Sequence, residues 1–308
     1  MPESATVEEI TSAIQESANL VGAAYSRDQV GPVLTAFADA FAEPMVVFTA
    51  QTGSRYAGQL DYSFAAPVKM GDPYARALSY DLAVKTDHPV GRLLTDFTKR
   101  FPFSEYFIDC GAAAGGLRKA CAHFPRDQQK VSALAGLPSM PRAVADNADL
   151  FARHGLDNVA MMGAGYKSET MSLYFQFDAD SRPEPKAIGS LLREIGMPEP
   201  DERMLEFAHR ALRANITLGW DSPEILRIAF APPPARGLDL SVVPAPVPPN
   251  FARFAASAPR AYDGERVNLF AVKWMPGEQF IEVCSYYLLS AMQRKLFISD
   301  HQKYDHQK

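Results

Sequence analysis

Two basic side chains on strand-like segments are the positions best suited to chemistry. In Gly115-Gly116-Leu117-Arg118-Lys119-Ala120-Cys121-Ala122-His123-Phe124, a period of two puts Lys119, Cys121 and His123 on one face. The two glycines there permit close backbone approach. In Leu226-Arg227-Ile228-Ala229-Phe230-Ala231, Arg227 shares its face with Ala229 and Ala231, while Leu226, Ile228 and Phe230 point the other way. A long cation flanked by alanines is unusual on a solvent-facing strand and suits a roomy anion pocket. A rim or surface charge would explain either one alone; the matching strand parity of both favours a shared function. A third candidate sits in the last hairpin, where Pro276-Gly277-Glu278-Gln279 is a turn signal. A two-residue loop at Gly277-Glu278 would set Lys273 opposite Glu282, on a face continuing through Leu269, Ala271, Cys284 and Tyr286. Opposed charges pair across strands, so this couple reads equally as structural or as part of a ligand site.

Other chemistries are missing from the sequence. There is no Walker loop, GxSxG elbow, HExxH, helix-opening GxGxxG or DDxxD-type motif. His301 and His306 lie in a polar tail from Ser299 that reads as frayed chain rather than as a metal site.

The elements that must position the cations recur evenly. Strand-like pairs begin near Met45, Ser104, Asn158, Arg213 and Arg266, a spacing of roughly 55 residues. Leu60-Asp61-Tyr62-Ser63-Phe64 and Ser172-Leu173-Tyr174-Phe175-Gln176-Phe177 alternate large apolar residues with polar or smaller ones. Helical periodicity covers 7–25 (capped by Thr6), 30–41, 88–101, 141–154, 186–195, 202–212 and 250–256. The stretch 232–249, with Pro232-Pro233-Pro234 and Pro248-Pro249, reads as an irregular surface connection. Strands oily on one face and small or polar on the other, alternating with helices, predict an α+β fold. It is a ten-stranded antiparallel β-barrel of five strand pairs around a solvent-filled chamber, ringed by α-helices. The whole of 1–298 reads as one domain, because no repeat could bury its own apolar face, and 299–308 as a disordered tail.

Composition narrows the partners. A net charge of −5 argues against nucleic acid. Three cysteines without a CxxC read as free thiols in a reducing compartment. With no signal core and no long apolar run, the expectation is a cytoplasmic, soluble monomer that needs no membrane.

Taken in order and spacing, several segments resemble one family. They include Leu60-Asp61-Tyr62-Ser63, Gly71-Asp72-Pro73-Tyr74-Ala75, Gly115-Gly116-Leu117-Arg118-Lys119, Pro138-Ser139-Met140-Pro141, Ala145 to Arg153, Leu173-Tyr174-Phe175, Thr217-Leu218-Gly219-Trp220 and Tyr286-Tyr287. Over essentially its whole length the chain resembles the aromatic prenyltransferases of the α-β-β-α barrel type, in the bacterial branch acting on naphthalenes, phenols and phenazines. The resemblance implies transfer of a prenyl group, dimethylallyl or geranyl, from its diphosphate to carbon of an electron-rich aromatic acceptor in secondary metabolism. Lys119 and Arg227 match the diphosphate-holding cations, and Tyr174 and Tyr286 match aromatic walls that shield an allylic cation from water. Val47, Ser63, Met161, Ala231, Gln293 and Leu296 match the acceptor side, and Leu269 and Cys284 join it from the face of Tyr286. Asp61 matches the carboxylate that binds Mg²⁺ in the magnesium-using members; others work without the metal, and no organic cofactor is implied.

The departures from the family pattern concern the diphosphate. Ser168, preceded by Lys167, replaces a second lysine. Ser172 replaces an asparagine, Asn215 a diphosphate-binding tyrosine, and Glu282 a late lysine. Compensation by Lys273 and by Arg213, on the face of Asn215, would restore the positive charge. Without it, the sequence leaves room for a non-catalytic barrel that binds isoprenoid or aromatic metabolites. A prenyl diphosphate hydrolase is a further alternative.

Overall fold

The computed structural model describes residues 5–42, 45–291 and 293–294. Leu296 and the tail 299–308 lie outside them.

Twelve strands form one antiparallel sheet. In chain order they are β1 (Val46–Gln51), β2 (Asp61–Pro67), β3 (Glu105–Gly111), β4 (Leu117–His123), β5 (Gln129–Lys130), β6 (Asn158–Gly165), β7 (Thr170–Gln176), β8 (Arg213–Leu218), β9 (Ile225–Ala231), β10 (Ala235–Arg236), β11 (Val267–Met275) and β12 (Glu278–Leu288). The two-residue strands β5 and β10 are appendages of β6 and β11. The other ten run β1-β2-β3-β4-β6-β7-β8-β9-β11-β12, and β12 pairs back onto β1, so the sheet is a closed barrel. Closure leaves the barrel no open edge.

Alternation along each strand separates two apolar regions. Phe48, Phe64, Phe175, Phe230, Phe270 and Trp274 point outward and are fully buried beneath the helices. At about 2–3 kcal/mol for each such side chain, this outer layer holds helices to barrel. A separate cluster containing Val47, Ala65, Leu269, Ala271, Cys284 and Tyr286 occupies the inner face. The first helix, α1 (Val7–Val21), opens with Thr6 and Glu9 in a reciprocal capping box.

Three local readings are corrected. The segment 141–154 is two helices, Arg142–Asp146 and Ala148–Arg153. Asn147 breaks it, its side-chain amide donating to the Ala143 and Pro223 carbonyls. Pro73–Ser79, unassigned from sequence, is a helix capped by Asp72. The final turn is centred on Pro276-Gly277, with Met275 paired to Glu278. Gly277 there takes φ 82°, the left-handed value that the second central position of a type II turn requires. Lys273 therefore lies opposite Phe280, and Glu282 opposite Ala271. Parity is unchanged, so Lys273 and Glu282 still share the inner face.

Candidate functional site

Register places most charged residues of the inner wall towards one end of the barrel, with Glu105, His123 and Arg213 towards the other. Gln51 pairs with Glu282, Thr49 with Asp61, Asp109 with Lys119, and Thr217 with Arg227. Two to four residues further along these strands lie Val47, Cys284, Tyr286, Leu269 and Ala231. The lumen thus has an ionic end and a more apolar end.

Lys119 lies flat against the wall. Its Nζ donates to the Tyr174 hydroxyl and stands 4.8 Å from that ring's centroid. The stem has room because Gly163 stands beneath it: a Cβ there would lie 2.6 Å from Lys119 Cε and 2.7 Å from Cys121 Sγ. Burial opposes the ammonium, but Cys121, Tyr174 and Asp109 around it carry its pKa upward, so it stays charged. Arg227 donates to Tyr56 Oη at 3.0 Å and to Thr217 Oγ1 at 3.3 Å. Its Nε is buried with no acceptor among the described residues. Thr217 also meets Ser172, the residue opposite Gly163, at 3.2 Å. Lys119 and Arg227 therefore stand on one continuous stretch of inner wall, from β4 through β6, β7 and β8 to β9.

Lys273 behaves differently. Its Nζ donates to Glu282 and, at 3.1 Å, to Gln51 Oε1. Burial lowers its pKa, Glu282 opposes that, and neighbouring Arg227 adds to the lowering. The charge reversal at Glu282 is thus answered by Lys273, and the couple adds no net charge. Lys167 is exposed in the turn between β6 and β7. Arg213 faces inward opposite Ala231, four residues from Thr217, and belongs to the apolar end rather than to the level of Arg227. Asn215, between those levels, has a buried Oδ1 without a donor among the described residues.

The acceptor-side positions gather at the apolar end. Val47 faces Tyr286 and Ser63 across its two ladders, Leu269 faces Cys284, and Met161 faces Tyr174. Gln293 sits near that end, its Nε2 3.7 Å from Met45 Sδ. All three thiols are buried, and burial raises each pKa (Cys121 to about 12); Cys121 and Cys284 are small neutral groups of the inner wall, whereas Cys110 lies with Tyr62 in the outer layer beneath the helices.

Asp61 is ion-paired to Arg118, which also donates to Gln59 at 3.2 Å. Burial pushes the Asp61 carboxyl up to about 6; Arg118 opposes this, while Asp109 and Glu282 add to it. Among the described residues no cluster of His, Cys, Asp or Glu could hold a metal unaided. Asp61 does fit a magnesium ion carried in by a diphosphate, as one hard oxygen ligand within an acidic neighbourhood.

Sequence reasoning missed Tyr56 and Gln51, and did not tie Thr217 or Gly163 to the two cations. Tyr56 comes from the β1–β2 connection, where strand parity carries no information. Thr217 and Gly163 carried a signal, since each shares inner-face parity with a named residue.

The described residues contain no helix long and apolar enough to cross a membrane. Residues 5–296 match the family model "Aromatic prenyltransferase Orf2". The chain is 38% identical to 5,10-dihydrophenazine-1-carboxylate 9-dimethylallyltransferase of Streptomyces anulatus, over 97% of this chain and 99% of that protein. It is 34% identical to the furaquinocin biosynthesis prenyltransferase of Streptomyces sp. (strain KO-3988), over 94% and 92%. Flaviolin linalyltransferase of Streptomyces virginiae is also 34% identical, over 90% and 91%. In three dimensions the chain resembles the apo crystal structure of the prenyltransferase PriB, with a TM-score of 0.54 at 12% identity, covering 92% of this chain and 97% of that one. That likeness concerns the fold alone.

Proposed function

The chain belongs to the aromatic prenyltransferase Orf2 family, and from that membership we propose how its lumen divides the reaction. The donor's diphosphate sits at the ionic end against Lys119 and Arg227, and its prenyl chain runs along the wall of Tyr174. The aromatic acceptor lies towards Val47, Leu269, Cys284 and Tyr286. The observation that carries this reading is a pair of inward cations with no carboxylate at ion-pair distance among the described residues, and with a buried guanidinium N–H unused. A charge in that state is costly unless a ligand meets it.

As the allylic C–O bond breaks, its electron pair leaves with the diphosphate, and Lys119 and Arg227 stabilise the charge that develops there. Tyr174, already in contact with one cation, offers its ring face to the allylic cation. A ring carbon of the acceptor supplies the pair for the new C–C bond, and the same carbon loses its proton to restore aromaticity. The surrounding walls exclude water, which would otherwise capture the cation as an alcohol. Magnesium, when bound, would neutralise diphosphate charge; Asp61 would hold it.

Incubation with dimethylallyl or geranyl diphosphate and a panel of hydroxynaphthalenes, phenols and dihydrophenazines, read by mass spectrometry, tests the proposal. A prenyl mass increment on the acceptor is expected. Diphosphate release without adduct would mark a hydrolase, and binding without turnover a carrier.

A further inference from the structure

Arg213 is a lumen cation set at the acceptor end, four residues along its strand from the partner of Arg227. Its register partners Gln176 and Ala231 place it on the inner face. Among the described residues its side chain makes no hydrogen bond or ion pair. The groups that feel its charge are Cys121, Cys284 and Tyr286, all neutral and part of the wall at the apolar end. Of the inner-wall acids, Glu105 is paired to His123 at 3.0 Å, Glu282 to Lys273 and Asp61 to Arg118, while Asp109 stands opposite Lys119. Four residues separate Arg213 from Thr217, the partner of Arg227. At roughly 3.3 Å per residue that is about 13 Å along the strand, so Arg213 and the Thr217–Arg227 contact lie at different depths of the lumen. A half-buried guanidinium with no ion pair among the described residues presents a planar two-pronged donor, which matches a carboxylate. Two residues along the same face, the unpartnered Asn215 Oδ1 awaits an N–H or O–H donor.

We propose that Arg213 reads the acceptor: it pairs with a carboxylate on the aromatic ring, so the acceptors of this enzyme are aromatic carboxylic acids. The acid anchors the ring at the apolar end and turns its far edge towards the prenyl chain held from Lys119 and Arg227. This rests on the donor and acceptor ends assigned above.

The test compares 1,4-dihydroxy-2-naphthoate with 1,4-dihydroxynaphthalene, handled anaerobically, by titration calorimetry and by product formation. In the unmodified protein the acid binds more tightly. Arg213→Gln weakens its binding by about 10- to 100-fold and leaves the diol within about twofold; Arg213→Lys recovers part of the loss. Affinity for geranyl S-thiolodiphosphate stays unchanged in both variants, which also shows that they are folded. Equal weakening of acid and diol, or weakened binding of the thio-analogue, overturns the proposal. If neither ring is prenylated by the unmodified protein, the transferase reading fails, whereas the binding comparison still judges Arg213.

Discussion

Gly163→Ala adds one methyl group beneath Lys119 and separates positioning from fold. The backbone at 163 does not have the left-handed φ that penalises side chains, so alanine is tolerated by the main chain. The new Cβ would lie 2.6 Å from Lys119 Cε and 2.7 Å from Cys121 Sγ. Ordinary carbon contacts begin near 3.5 Å, so the lysine stem must move by about 1 Å. Lys119 Cε belongs to the end of a flexible chain and the buried Cys121 Sγ must give as well, at a cost in stability of about 1–2 kcal/mol. The cost in catalysis is not small. An ångström of misplacement at a charge-stabilising group lowers the rate by about 100-fold, equivalent to about 2.7 kcal/mol of transition-state stabilisation.

Steady-state kinetics with geranyl diphosphate should therefore show kcat/KM reduced by about two orders of magnitude in Gly163→Ala, with only a small fall in Tm. Lys119→Ala alone should lose about 100- to 1,000-fold. The double variant should lose little more activity than Lys119→Ala, because the lysine is the charged group that the methyl displaces, Cys121 Sγ being the other atom it meets. Additive losses, or unimpaired turnover in Gly163→Ala, would refute the idea that Gly163 exists to seat Lys119.

Further outcomes follow from the other lumen charges. Arg227→Lys keeps the charge but cannot bond Tyr56 and Thr217 together, and should weaken thio-analogue binding by about tenfold or more in calorimetry. Lys273→Ala leaves Glu282 charged in a largely buried place and should destabilise the fold by about 3 kcal/mol in chemical denaturation. The isosteric pair Lys273→Met with Glu282→Gln should restore most of that stability, and unchanged donor affinity in it would exclude Lys273 from diphosphate binding. Asp61 has a folded pKa raised from 3.8 to about 6. Ionised Asp61 therefore costs stability above pH 6, by at most about 3 kcal/mol, and the cost is relieved as pH falls from about 6 towards 4. Asp61→Asn should remove that segment of the stability-versus-pH curve; a curve of unchanged shape between pH 4 and 7 would contradict it. Any magnesium stimulation of donor binding should weaken below pH 6 and vanish in Asp61→Asn.

How much of this could be read in the sequence depended on parity. Alternation on a strand is strictly two-fold, so the inward orientation of Lys119, Arg227, Tyr174 and Tyr286 followed from local pattern, and five such pairs implied closure. Depth was harder. Arg213 and Asn215 share a face, which suggested a shared ligand, but register places Arg213 at the level of Ala231, towards the acceptor. The last hairpin failed for a related reason. Pro276-Gly277 and Gly277-Glu278 are both adequate turn centres by composition, and only the positive φ of Gly277 at the second position selects the former. Tyr56 was invisible because it reaches Arg227 from a turn, across 171 residues of sequence.

The distribution of countercharge argues most directly for two separate anion sites in this lumen. Where a cation's role is structural, the fold supplies the acid: Glu282 answers Lys273, and Asp61 answers Arg118. Lys119, Arg227 and Arg213 have no carboxylate at ion-pair distance among the described residues: Asp109, opposite Lys119 on β3, acts on it from further off, and the direct partners are hydroxyls, a ring face or neutral wall groups. Desolvating a charge without an opposite partner costs several kcal/mol, a cost retained only where binding of an anion recovers it. Lys119 and Arg227 flank the ionic end, where leaving-group charge develops. Arg213 stands about 13 Å along its strand from Thr217, beside the proposed acceptor, which is the substrate that can bring an anion to that depth.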